Sequence, residues 1–231
     1  MSGRFHVSVR TLILGALAST LALSLIYSNS VQYGHADVPV ASTAAEIQPL
    51  GAGDKAPHFT VETMASERFE FEPRNLERPV VLISFRGGWC PYCNLHLSEL
   101  RHAIPEINAM GIDVLFLSGD RSELLVRSLD RETQEDIDGM GYTILSDANA
   151  QAALALGIAF KASDRTIARR QEKGDDIEGS SMLRHGLLPV PAVFAVNREG
   201  IITFAHADPD YKVRVSADEL VAAVSEIAIT L

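Results

Sequence analysis

Val80-Val81-Leu82-Ile83-Ser84-Phe85-Arg86-Gly87-Gly88-Trp89-Cys90-Pro91-Tyr92-Cys93-Asn94-Leu95-His96-Leu97-Ser98-Glu99-Leu100 is the stretch on which the reading of this chain turns. Its first six residues are almost wholly apolar and rich in β-branched types, the pattern of a strand buried on both faces. Arg86-Gly87-Gly88 interrupts the run, and a helical pattern begins near Pro91. Proline suits the first turn of a helix, where its missing N–H has no partner to lose. Cys90 then falls at the N-cap, where unpaired backbone N–H groups and the helix dipole favour an anion. A thiolate is expected there. Cys93 lies one turn on, within reach of a disulfide or of a mixed disulfide formed at Cys90.

Cys90 and Cys93 are the only cysteines of the chain. A stapling disulfide closing so short a loop would constrain the unfolded chain little. A structural zinc site would need a second knuckle, and no further cysteine exists to build one. Redox chemistry at Cys90 and Cys93 is the favoured reading. A metal-binding chaperone is an alternative, with His96, His185 or His206 completing the ligands. Haem attachment is excluded, because Asn94 follows Cys93 where histidine is required.

The 231 residues suffice for one domain with a sizeable core. A net charge of −10 excludes nucleic acid and anionic membrane surfaces as natural partners. Arg4, His6 and Arg10 precede an apolar run from Leu12 to Ile26, and Gly34-His35-Ala36 offers small residues for cleavage. Residues 1–36 therefore read as a secretory signal peptide. The alternative is an uncleaved membrane anchor, since Leu12 to Tyr27 approaches spanning length. Both place the domain outside the cytoplasmic membrane, in a periplasm. Residues 37–50 read as a flexible linker, and the domain proper as 51–231.

Within it, Thr60–Thr63 and Arg68–Phe71 suggest a hairpin covering a sheet edge. Leu97, Leu100, Ile104, Ile107 and Met110 mark one buried helix face, kinked at Pro105 and ended by Gly111. Ile112–Leu117 is the next buried strand, the partner in a βαβ unit. A helix over Glu123–Glu132, a strand at Tyr142–Leu145 and a helix from Ser146-Asp147 to Leu156 follow. Phe160 to Leu188 is polar and long for a connection, with a helix near Ser163–Lys173; it either packs as an extra element or covers the site. Leu187 to Val196 reads as a third buried strand, Ile201–Ala207 as its hairpin partner, and Ser216 with Glu219 as the capping box of a last helix through Ile227.

This order of elements, with Cys-x-x-Cys at a strand-to-helix junction, resembles the thioredoxin fold. Gly53-Asp54-x-Ala56-Pro57-x-Phe59, Leu145-Ser146-Asp147 with Gly157-Ile158, and Leu188-Pro189-Val190-Pro191-Ala192 resemble the alkyl hydroperoxide reductase/thiol-specific antioxidant (AhpC/TSA, peroxiredoxin-like) family more narrowly. The Cys90-Pro91-Tyr92-Cys93 tetrapeptide is similar to that of glutaredoxins. The resemblance implies an α/β three-layer fold: a central mixed sheet flanked by helices, an N-terminal hairpin, and an insertion before a cis-proline strand. Pro191 is the implied cis-proline, bringing the Val190 backbone beside the sulfurs to bind an extended thiol substrate. An ordinary trans proline is the alternative.

Two mechanisms follow from the resemblance. In thiol–disulfide exchange, Cys90 is an exposed nucleophile and Cys93 resolves; this is favoured. In hydroperoxide reduction, Cys93 is the peroxidatic thiolate and Cys90 resolves it. The family carries threonine where Cys90 stands and places an arginine near Pro191. This sequence departs at both points, leaving Arg86 to supply the charge. The expected partner is a thiol or disulfide protein, a low-molecular-weight thiol, or a hydroperoxide, with no cofactor and no metal. Gly87 and Gly88 would admit a substrate backbone or merely turn the chain. Trp89 would shield the disulfide or pack in the core. Asp120 would accept a proton or start a helix. His206, Asp208, Tyr211 and Arg214 look typical of the family, and their expected role is structural.

Overall fold

The structure, a computed structural model, describes residues 40–228. The segment read as a signal or anchor, residues 1–36, lies outside the described residues. Nine strands and seven α-helices are described. In chain order they are β1 (Phe59–Glu62), β2 (Arg68–Phe71), β3 (Val80–Phe85), α1 (Pro91–Leu100), α2 (Ile104–Ala109), β4 (Asp113–Ser118), α3 (Arg131–Ile137), β5 (Thr143–Ser146), α4 (Gln151–Ala155), β6 (Ala159–Lys161), α5 (Asp164–Glu172), α6 (Ser181–His185), β7 (Leu187–Pro189), β8 (Ala192–Val196), β9 (Ile202–Ala207) and α7 (Ala217–Ala228).

Seven strands form one mixed sheet in the order β2-β1-β5-β4-β3-β8-β9. β3 lies at its centre, parallel to β4 and antiparallel to β8. The sheet has two buried faces because alternate residues of each strand point opposite ways. Val81, Ile83 and Phe85 join Leu97, Leu100, Ile104, Ile107, Val224 and Ile227 in one cluster. Val80 and Leu82 join Phe59, Phe71, Leu156, Ile158 and Phe194 in the other. All six residues of β3 are buried, so its apolar run is a direct readout of helix cover on both sides. The hairpin of β1 and β2 occupies one edge, as the sequence predicts.

Pro105 does more than kink its helix. α1 ends at Leu100 and α2 starts at Ile104, with proline in its first turn. Proline has no N–H to give the Arg101 carbonyl, and its ring crowds that oxygen. Tighter bonds bridge the gap: His102 and Ala103 donate to Glu99 and Leu100, three residues back.

The helix predicted over Glu123–Glu132 is absent. A single 3-10 turn spans Ser122–Leu124, and α3 starts at Arg131. The intervening backbone is committed elsewhere. Asp130 N–H donates to Asn94 Oδ1 at 2.9 Å, and Ser128 backs directly onto Gly88. The predicted strand from Leu187 to Val196 is two strands in two sheets. β7 pairs with β6, whereas β8 pairs with β3 and β9. β6, α5, α6 and β7 together form the insertion ahead of β8. Of the stretch read as a linker, residues 40–50 lie against the domain: Lys161 N–H donates to the Ala41 carbonyl and Leu50 N–H to the Leu156 carbonyl.

Candidate functional site

β3 delivers the chain to the site and α1 carries it away. Cys90 is the N-cap of α1, with Pro91 in the first turn. Its carbonyl accepts the N–H groups of Cys93 and Asn94, at 2.9 and 3.2 Å. Both cysteines are free thiols and both are buried, each 1% exposed. The exposed nucleophile expected at Cys90 is thus corrected: the sulfur lies beneath other side chains.

The two sulfurs differ in acidity. The Cys93 thiol hydrogen-bonds the Cys90 sulfur and pulls its pKa down to about 6, helped by the Cys93 N–H and by the charges of Arg86 and Arg214, against burial. Burial pushes the Cys93 thiol well up, and its contact with Cys90 adds to the rise. Cys90 is therefore the thiolate of the pair.

Arg86 is buried at the end of β3. Its Nε donates to the Pro189 carbonyl at 3.4 Å. Its guanidinium carbon stands 4.5 Å from the centre of the Tyr211 ring and 5.8 Å from that of Phe160. Tyr211 in turn meets Tyr92 edge to face, centroids 5.4 Å apart. The segment from Asp208 to Arg214 thereby straps the start of α1. It is held in turns by its own carboxylates: Asp208 accepts from Asp210 N–H and Asp210 from Lys212 N–H. At its end, the Val215 carbonyl contacts His96 Nε2 at 2.9 Å. Burial lowers the His96 pKa to about 4, so the ring is neutral near pH 7 and that nitrogen is the donor.

Gly87 and Gly88 admit the chain's own side of the site rather than a substrate backbone. A Cβ on Gly88 would overlap the Ser128 carbonyl. A Cβ on Gly87, whose φ is +137°, would overlap Asp120 Oδ1 and sit 2.6 Å from Trp89 Nε1. Asp120 does not start a helix. Its Oδ2 accepts Gly88 N–H at 2.8 Å and the Ser128 hydroxyl at 3.0 Å. Burial raises its pKa to about 6. Trp89 packs in the core and takes Arg170 of α5 over its ring at 5.0 Å. The insertion therefore both packs as an extra layer and reaches the site.

Pro191 is not cis: no cis peptide bond occurs among the described residues. Val190 is fully buried in the cluster on the opposite face of the sheet from the cysteines. Its N–H is taken by the Ile158 carbonyl at 2.9 Å, so it offers that donor to no substrate. An extended path held by that bond leaves the X–Pro linkage in its ordinary trans form, favoured by about 0.5–1 kcal/mol. The carbonyl of this segment that meets a residue of the site is that of Pro189, which accepts from Arg86. His96, His185 and His206 do not complete a metal site with the cysteines: no group of three potential ligands converges among the described residues. His185 contacts Asn149 instead.

The part that three residues play at the site escapes a reading of the sequence, although Tyr211 and Arg214 stand out in it as a family-typical stretch. Asn94, buried at 3%, donates to the Gly88 and Cys90 carbonyls and accepts from Asp130 N–H. Tyr211 and Arg214 reach the dithiol from more than a hundred residues away. Their one signal is an Asp-rich, turn-forming stretch that also carries Tyr and Arg.

A dithiol at the head of a helix, on a mixed sheet covered by helices, defines a thioredoxin-like redox protein. The match to the AhpC/TSA family spans residues 52–205, and the chain belongs to that family. Peroxiredoxin Bcp of Escherichia coli K12 is 29% identical over 112 residues, 48% of this chain and 67% of that protein. Thiol-disulfide oxidoreductase ResA of Halalkalibacterium halodurans is 28% identical over 108 residues, 46% of this chain and 57% of its own. The fold matches reduced Prx3 of Vibrio vulnificus, solved in complex with hydrogen peroxide, with a TM-score of 0.58 at 17% identity, covering 76% of this chain and 99% of that one.

Proposed function

We propose that this oxidoreductase works by thiol–disulfide exchange, with Cys90 as the attacking thiolate and Cys93 as the resolving thiol. The observation that carries the reading is where the two sulfurs stand: Cys90 is the N-cap of α1 with Pro91 in the first turn, and Cys93 lies within that first turn, an arrangement that favours the thiolate at Cys90. Cys90 attacks a substrate disulfide and releases one thiolate. Cys93 then attacks the mixed disulfide, releases the second, and leaves the Cys90–Cys93 disulfide. An external thiol protein or small thiol restores the dithiol. The same proposal puts this cycle outside the cytoplasmic membrane, by export or by a tether, and the basic start and apolar run within residues 1–36 support it.

The family match and the similarity to peroxiredoxin Bcp favour a second reading, hydroperoxide reduction. It asks Cys93 to be the first thiolate, which burial and the neighbouring Cys90 oppose. The test compares Cys90→Ser and Cys93→Ser in insulin-type disulfide reduction and in hydroperoxide consumption. Exchange requires Cys90→Ser to be inactive and Cys93→Ser to accumulate a mixed disulfide. A wild type inert toward disulfides, with Cys90→Ser still consuming peroxide at full rate, reverses the order of the two readings.

A further inference from the structure

Three cations, Arg86, Lys212 and Arg214, gather on the end of β3 and on the strap that packs against it and the start of α1. Among the described residues, neither Arg86, Lys212 nor Arg214 lies within ion-pair distance of an acidic side chain. Such clustering is unusual in a chain of net charge −10. Arg214 is the telling member. Its Nη1 donates to the Val213 carbonyl, but Nε and Nη2 are buried and have no hydrogen-bond partner. Buried donors are ordinarily paired, and leaving a charged one unpaired costs stability. The charge of Arg214 acts on both sulfurs.

We propose that Arg214, through Nε and Nη2, forms an anion-binding subsite beside Cys90, and that the substrate carries a carboxylate close to its reacting bond. This rests on the exchange reading for the identity of that bond, a disulfide. Two adjacent N–H donors of a guanidinium match the two oxygens of a carboxylate. The preferred substrate is then a small disulfide flanked by carboxylates. Cys90 attacks one sulfur and a mercaptocarboxylate leaves, while Arg214 keeps hold of the half bound to the protein.

Iodoacetate and iodoacetamide test the subsite without any turnover. Both alkylate the same thiolate with loss of iodide, and only the first bears a carboxylate. Relative to a free small thiol, reduced wild type is expected to favour iodoacetate over iodoacetamide by about tenfold, the size of one charge-assisted contact. Arg214→Gln is expected to bring that ratio to the free-thiol value, and Arg214→Lys to keep part of it. A wild-type ratio equal to the free thiol's, or one that Arg214→Gln leaves unchanged, overturns the subsite. The exchange reading is tested separately with 3,3′-dithiodipropionate and neutral bis(2-hydroxyethyl) disulfide. A raised alkylation ratio with neither disulfide reduced upholds the subsite and rejects exchange. Reduction of both at equal rates, with a flat ratio, upholds exchange and rejects the subsite.

Discussion

The guanidinium of Arg86 lies against the ring of Tyr211, 4.5 Å from its centre, and so ties the end of β3 to the strap that crosses the cysteines. Tyr211 is clamped between that cation and Tyr92, the residue inside the Cys-x-x-Cys motif. Removing the ring uncovers the site without touching a sulfur. In Tyr211→Ala, alkylation of Cys90 by iodoacetamide at pH 8 is expected to quicken about tenfold, a barrier drop near 1.4 kcal/mol. Circular dichroism should remain that of the wild type. An unchanged rate would show that the strap does not control access.

The acidity of Cys90 has a definite pH signature. Its alkylation rate should climb through a midpoint near pH 6 and level off by pH 8, while Cys93 stays unreactive. The same shift enters stability. A thiol held below its ordinary value stabilises the reduced fold above that ordinary value, and the contribution drains away as pH falls toward 6. Reduced wild type should therefore lose stability relative to Cys90→Ser between about pH 8.5, the ordinary thiol value, and pH 6. Urea midpoints across that range measure it.

Asp120 has the opposite sign. Its pKa is raised to about 6 by burial, above the ordinary carboxylate value. A carboxyl raised on folding supports the fold below its unfolded pKa, and that support is lost as pH rises through 6. Asp120→Asn carries no ionisable group. Its stability relative to wild type is expected to improve from pH 4 to pH 7.5, by at most about 3 kcal/mol. Denaturant unfolding at the two pH values reads the difference, and any constant effect of the new amide cancels.

Asn94 joins the turn before Cys90, the cap of α1 and the start of α3 through three hydrogen bonds. Asn94→Ala leaves two carbonyls and one N–H without that partner. The expected loss is about 2–4 kcal/mol, measurable as a fall in urea midpoint in both the oxidised and the reduced protein.

Gly88→Ala should be comparably damaging. The added methyl meets the Ser128 backbone, which cannot swing aside as a flexible side chain would. Overpacking of this kind costs about 1–3 kcal/mol or more. Folding without loss in this variant would show that residues 119–130 can retreat from the Gly87-Gly88 turn.

What was legible in the sequence was local. The β-branched run of β3 and Cys90-Pro91 at the head of α1 each occupy a few neighbouring residues, and periodicity or capping chemistry reports them directly. The paired strands of the β1–β2 hairpin and the capping box at Ser216 and Glu219 belong to the same kind. The missed features depend on contacts between distant segments. Residues 125–130 have a helical composition, yet Asn94 takes the Asp130 N–H and Ser128 packs directly on Gly88. Nothing near Tyr211 or Arg214 announces that they reach Tyr92, Arg86 and the field of the two sulfurs. Pro191 misled because the dipeptide suits either isomer, and the Val190 bond to Ile158 is invisible along the chain.

The sequence holds no third thiol, and the two present lie buried within one turn at the head of α1. On the proposed exchange reading, these two thiols store one pair of electrons, in one place, and whatever refills the dithiol must come to the same sulfurs the substrate has just left.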